Sequence, residues 1–174
     1  MHATSTSSQT PNTRSASSLA QLTLAHWAPI PLRLIVGFGF IQHGLAKLNR
    51  GPDLFASTLH GLSVPAPHLM AWLTLLIEIF GGLAVLSGCL IPYFALPMTV
   101  VLLVAIFKVH LQFGFSSIKL VSVTSGRPQF GPPGYECALL YIACLATLLI
   151  SGPGPLAPDN IIRRPRQSGP VQPL

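Results

Sequence analysis

Acid is what this sequence most lacks. Among its 174 residues stand only four aspartates and glutamates, against ten lysines and arginines. Charged residues of either sign make up 8% of the chain, where a soluble globular domain carries roughly a quarter. So sparse a charge cannot supply an ordinary solvated surface, and apolar residues take its place at 50%, with a mean hydropathy of +0.60. Cysteine is also scarce: Cys89, Cys137 and Cys144 form no CxxC pair. Cys137 and Cys144 would share a helix face, but the rise between them is roughly 10 Å, beyond disulfide reach. They read as small apolar packing residues. The net charge of +6 is not a nucleic-acid footprint. Its clearest cluster, Arg163, Arg164 and Arg166, follows an apolar block and suits anionic headgroups.

What is present is a set of apolar blocks of about membrane-crossing length. The expected fold is all-α, a polytopic membrane protein built as an antiparallel bundle of four transmembrane helices. The helices are expected at about 30–48, 69–90, 92–112 and 134–151, within a membrane domain of 29–152. Residues 1–28 are Ser/Thr-rich, lack an apolar signal-peptide core and read as a disordered tail. Residues 153–174 read as a Pro-rich basic tail. The stretch Leu54 to His68 is a partly amphipathic connection, and Phe113 to Pro133 a long loop that folds back over the membrane surface. Pro97 should bend the third helix locally. An even number of crossings puts both termini on one side, and Arg14, Arg33, Arg163, Arg164 and Arg166 favour the cytoplasm for that side. The expected location is the plasma membrane, the inner membrane of a bacterium.

The few charges that enter the apolar blocks must be paired, hydrated or used, because hydrocarbon offers them no cheap place. His43 and Lys47 fall in the second half of the first helix, Glu78 near the middle of the second, Lys108 and His110 near the exit of the third, and Glu136 in the first turn of the fourth. In an antiparallel bundle all of these lie towards the side opposite the termini. His43 and Lys47 share a helix face. Lys108 and His110 cannot both point inward, so His110 is expected inward while Lys108 snorkels to the headgroups. Arg33 is expected to anchor at the other boundary, against Asp159. Glu136 also gains from the helix dipole. Two explanations stay open. Lys47–Glu136 and His43–Glu78 are ion pairs that fix helix register, or His43, Lys47, Glu78, His110 and Glu136 line a ligand site in which Glu78 and Glu136 relay protons. No HxxxH or ExxH spacing occurs among them, so no metal site is expected. Gly37, Gly44, Gly81, Gly82 and Gly88 are expected to permit close helix packing.

The order of these residues resembles the DoxX family of small four-helix membrane proteins. The matching pieces are Arg33-Leu34, Gly37, Phe40, His43-Gly44 and Lys47-Leu48 in the first helix, then Glu78, Gly81-Gly82-Leu83 and Gly88 in the second. His110 with Gly114, Gly134-Tyr135-Glu136, Gly152-Pro153-Gly154 and Asp159 complete it, so the resemblance spans about 30–159. Ile91-Pro92-Tyr93 and Ala157-Pro158-Asp159 depart from the family's usual pattern. The resemblance implies the fold and a link to membrane redox complexes, including the DoxD-type subunit of a thiosulfate:quinone oxidoreductase. It leaves open whether this chain is itself catalytic.

Three functions compete. A membrane redox component would bind a quinone between its helices, with no covalent cofactor and with electrons from a redox partner protein or a small thiol or thiosulfate donor, since the chain has no haem, flavin or iron–sulfur motif. A non-catalytic membrane partner or assembly protein fits the small size and the long loop. A small-solute or proton transporter fits the intramembrane Glu and His but lacks repeated halves. The bilayer is a partner in every case, and nucleic acid in none.

Overall fold

Proline opens most of the helices. In the computed structural model, which describes residues 25–158, α1 (Pro29–Arg50), α2 (Pro52–Gly61), α3 (Pro67–Ser87) and α4 (Ile91–Ala105) each carry proline in the first two positions. There the ring's fixed φ suits the helix and the missing N–H has no intrahelical acceptor to lose. α4 continues through a π turn, Ile106–His110, and a 3₁₀ turn, Leu111–Phe113. A two-stranded hairpin follows, β1 (Leu120–Thr124) and β2 (Arg127–Phe130), and then α5 (Glu136–Ser151).

Helices occupy all four expected stretches, with ends moved by about three residues, the third reaching its expected end only through the π and 3₁₀ turns. Two expectations are corrected. The connection before α3 contains a helix, α2, because Pro52 starts it and Asp53 stabilises its first turn. Phe55, Ala56 and Leu59 then pack one face of α2 on Ala71 and Met70 of α3. The loop after α4 contains the hairpin, so the fold is mostly helical rather than purely all-α. Its turn, Ser125-Gly126, has positive φ at both residues, 51° and 74°, the combination whose twist suits a two-residue hairpin. Pro128 lies in β2, which this small sheet tolerates because every strand is an edge.

The four long helices close a ring, α1 against α3, α3 against α4, α4 against α5 and α5 against α1. Val36 and Phe40 of α1, Val85 of α3, Ile91, Ala95 and Met98 of α4, and Leu145 and Leu148 of α5 form the shared core. Adjacent glycines on α3 make two close approaches. Gly82 faces α1, where an added Cβ would lie 2.8 Å from the Gly37 carbonyl oxygen. Gly81 faces α4, where a Cβ would lie 2.8 Å from the sulfur of Met98. The α1–α3 contact is backbone against backbone and cannot give way by a rotamer change. Gly82→Ala is therefore expected to cost about 1–3 kcal/mol, read as a lower melting temperature in detergent, whereas flexible Met98 makes Gly81→Ala milder.

Two stretches, Pro67–Ser87 and Ile91–Phe113, are long and apolar enough to cross a membrane by length and composition. The core helix of a soluble protein would pass the same test by being buried. Here only 33% and 17% of the most apolar windows are buried, and Leu76, Phe80, Leu83, Leu96, Val100 and Phe107 face outward. Apolar surface of this extent suits a lipid solvent. The protein is a membrane protein. α5 is a shorter apolar helix, and α1 carries Arg33, Lys47 and Arg50.

Candidate functional site: a buried ion pair with an open flank

Side chains on a helix lean towards its N-terminus. Lys47, near the end of α1, therefore leans back into the bundle, while Glu78 on antiparallel α3 leans out to meet it. The Lys47 ammonium donates to both carboxylate oxygens of Glu78. This corrects both expected register pairs: Lys47 takes Glu78, not Glu136, and His43 is not the partner of Glu78. The two members differ in access, with side-chain exposures of 27% for Lys47 and 6% for Glu78. The acid is the interior group and the amine the reachable one. Close helix approach makes the pair possible, for a Cβ at Gly44 would lie 2.6 Å from Ile79 and 3.2 Å from the Glu78 Cβ. The α2 helix covers the outer side, its Phe55 ring centroid 5.3 Å from the Lys47 nitrogen, a cation–π contact.

His43 lies one turn inward from Lys47 and is exposed on the flank of α1. Its ring meets Tyr141 of α5 edge-on, centroids 6.4 Å apart, and Tyr141 meets Phe40 in the same way at 5.6 Å. Tyr141 lies over Gly39, where a Cβ would collide with the phenol oxygen. A polar track thus runs from buried Glu78 through Lys47 to His43 and Tyr141 at the α1–α5 seam. Tyr141 carried no charge to draw attention in the sequence. Gly39 facing an aromatic four helices later was the available hint.

Glu136 and His110 are at the same end of the bundle but are engaged elsewhere. Glu136 accepts a hydrogen bond from the Ser117 amide, 3.0 Å, while the Ser117 hydroxyl accepts from the Cys137 amide, 3.3 Å. This reciprocal pair is a capping arrangement at the start of α5. His110 is half-buried and its Nδ1 lies 2.9 Å from the Pro133 carbonyl oxygen, while Lys108 is exposed. Glu136→Gln should leave the bundle's melting temperature nearly unchanged and raise amide hydrogen exchange at Ser117 and Cys137. Unchanged exchange there would remove the capping role.

At the opposite end Arg33 is 6% exposed. α3 ends with Gly88 at φ 77°, its amide bonded to the Val85 carbonyl and the Cys89 amide to that of Ala84, a Schellman pattern. Arg33 completes the cap: Nε donates to the Val85 carbonyl at 3.2 Å and Nη2 to that of Leu86 at 2.9 Å. Nη1 donates to the Pro153 carbonyl, 2.9 Å, beyond α5. The start of α1, the end of α3 and the segment after α5 therefore meet on one guanidinium. Its expected partner Asp159 lies outside the described residues, as do residues 1–24 and 160–174 of the expected tails.

The better-formed hollows are not at the ion pair. One is a cleft at the α2–α3 junction lined by Ala56, Ser57, His60, Pro67 and His68, where His68 lies 3.4 Å from Asp53. The other is a shallow apolar depression along Pro31, Leu34, Ile35, Phe38 and Leu86. Among the described residues no cluster of His, Cys, Asp and Glu is placed to hold a metal ion.

No curated protein and no solved structure matches the chain. The sequence profile of the family DoxX matches residues 28–111. That stretch holds α1 to the exit of α4, with both the Lys47–Glu78 pair and the Arg33 cap, and stops short of the hairpin and α5. This match, over just under half of the chain, supports membership of the DoxX family.

Proposed function

We propose that this protein is the membrane component of a redox system, and that it receives a quinone headgroup at the α1–α5 seam beside His43, Lys47 and Glu78. The four long helices all cross the bilayer in this arrangement. The termini face the cytoplasm of a plasma membrane, as Arg14, Arg163, Arg164 and Arg166 favour. The supporting observation is the gradient of access along the polar track: Glu78 buried, Lys47 partly open, His43 exposed on the flank of α1. A quinone approaches from lipid, keeps its tail there and needs donors at its ring carbonyls. His43 supplies an N–H, Lys47 offsets negative charge as it develops on the oxygen, and Glu78 holds Lys47 in place and exchanges a proton with it. Reduction to the quinol takes two electrons and two protons. The electrons come from a separate redox protein or a small thiol or thiosulfate donor, and the protons from water at the nearby rim. His110 and Glu136, bonded to the loop after α4, are not needed in this scheme.

His43→Leu removes a donor without disturbing a buried contact. It is expected to weaken binding of a short-chain quinone to nanodisc-embedded protein about tenfold, the worth of one hydrogen bond, with the melting temperature unchanged. Equal affinity would end the role given to His43.

A second function has its own support. Among the described residues every buried side-chain nitrogen and oxygen already has a partner, so the ion pair is complete without a ligand. A non-catalytic membrane partner that uses the pair only to fix α1 against α3 follows from that. It predicts a stoichiometric protein companion on gentle extraction and no saturable quinone binding.

A further inference from the structure

The hairpin after α4 is two-faced, and nothing within the described residues packs on its apolar side. Cross-strand partners share a face. The register pairs Leu120 with Phe130, Ser122 with Gln129, Val123 with Pro128 and Thr124 with Arg127. An irregularity between Leu120 and Ser122 displaces Val121 from the alternation. Leu120, Phe130, Val123 and Pro128 therefore collect on one face, and Ser122, Gln129, Thr124 and Arg127 on the other. All eight are exposed.

The hairpin does not hang freely. The Gly134 amide bonds to the Ser116 carbonyl, that of Tyr135 to Gly114, that of Glu136 to Phe115 and that of Gly131 to Lys119. Phe115 stacks edge-on with Tyr135 at 5.6 Å, and the Lys119 ammonium is tied to the Phe113 carbonyl. These bonds anchor the hairpin to the exit of α4 and the entry of α5, where the apolar spans end. Phe107, Leu111 and Phe115, on the stretch that leads into the hairpin, are exposed as well. Its charges are of one sign. Between Glu78 and Glu136 the sequence contains no acid, while Lys108, Lys119 and Arg127 all fall there.

From the two faces, the rigid anchoring at the membrane boundary and the exclusively positive charge, we infer that the hairpin is an interfacial membrane element. Leu120, Val123, Pro128 and Phe130 rest in the upper acyl region, and Arg127 engages the phosphates of anionic lipids. An apolar face that stayed in water would be an aggregation hazard in a two-stranded sheet with free edges. Basic residues beside apolar anchors are the composition that favours an anionic membrane surface.

The test places an environment-sensitive fluorophore on full-length protein in nanodiscs, at Val123→Cys or at Ser122→Cys, with Cys89, Cys137 and Cys144 replaced by alanine. The label at 123 is expected to be quenched by lipids brominated high on the acyl chain and spared by aqueous iodide. The label at 122 should show the reverse. Exchanging zwitterionic for anionic phospholipid should deepen quenching at 123, and Arg127→Gln should abolish that dependence. Equal iodide access at both positions would overturn the inference. So would a label at 123 shielded from both quenchers, which would mean a protein or a second copy covers this face. Quenching that ignores headgroup charge would overturn the part given to Arg127. None of these readouts depends on quinone binding.

Discussion

Lys47→Met is expected to be the most damaging single substitution in the site, lowering stability by about 3–5 kcal/mol, the range for breaking a buried pair from one side. The magnitude follows from the asymmetry of access. Glu78 has a side-chain exposure of 6%, so without the ammonium its carboxylate is stranded between α1 and α3. Glu78→Gln should be milder, because Lys47 at 27% exposure can turn its nitrogen towards the rim. The double variant K47M/E78Q should recover most of the loss, since buried pairs are often replaceable by neutral groups of similar volume. Thermal melts of the three variants in one detergent check this order. A K47M melt equal to the wild type would show that Glu78 finds water or another donor, and that the pair does not hold the helices.

Arg33→Ala should cost almost as much, about 3 kcal/mol. Three carbonyls lose this donor; that of Val85 keeps the Gly88 amide, and a buried acceptor left unsatisfied costs ~1–3 kcal/mol before relaxation or water entry. The cation also sits at the negative end of the α3 dipole. Arg33→Lys should recover only part, because a single ammonium cannot reach Val85, Leu86 and Pro153 in the fork geometry the guanidinium provides. Gly88 offers an independent check. A Cβ there would lie 2.5 Å from the Arg33 guanidinium carbon, at a φ of 77° that is already unfavourable for alanine. Gly88→Ala should therefore harm the wild type more than it harms the Arg33→Ala protein. Additive losses in the double variant would mean that the two residues do not act on one cap.

The helices were legible because long apolar runs bounded by Pro and Gly leave little choice of structure. The exceptional status of Glu78 was legible too, since a carboxylate at mid-helix has no helix end to explain it. Its partner was not. Assigning Lys47 to Glu136 assumed that groups at the same end of the bundle would meet. The lean of the side chains towards opposite helix termini instead brings Lys47 inward and Glu78 outward. Arg33 stands at the end of the bundle opposite Lys47, but its acceptors are backbone carbonyls, which no residue letter announces. Gly88, needed for the φ that ends α3, was the sign that something approaches there. The hairpin escaped because the irregularity at Val121 breaks the two-residue alternation and Pro128 reads as an interruption. What the sequence conveys least is which charges are spent on structure: Glu136 and His110 hold the loop, and that follows from contacts with Ser117 and Pro133 alone.

The most direct measurement is a titration of a short-chain quinone into nanodiscs holding the wild type or K47M/E78Q, each first shown by its melt to be folded. The proposed site predicts saturable binding near one per chain in the wild type, and at least tenfold weaker binding in the double variant at similar stability, a difference of about 1.4 kcal/mol. Equal affinity in the two proteins, or no saturable binding to the wild type, would contradict it and leave Lys47–Glu78 as a bond between helices and nothing more.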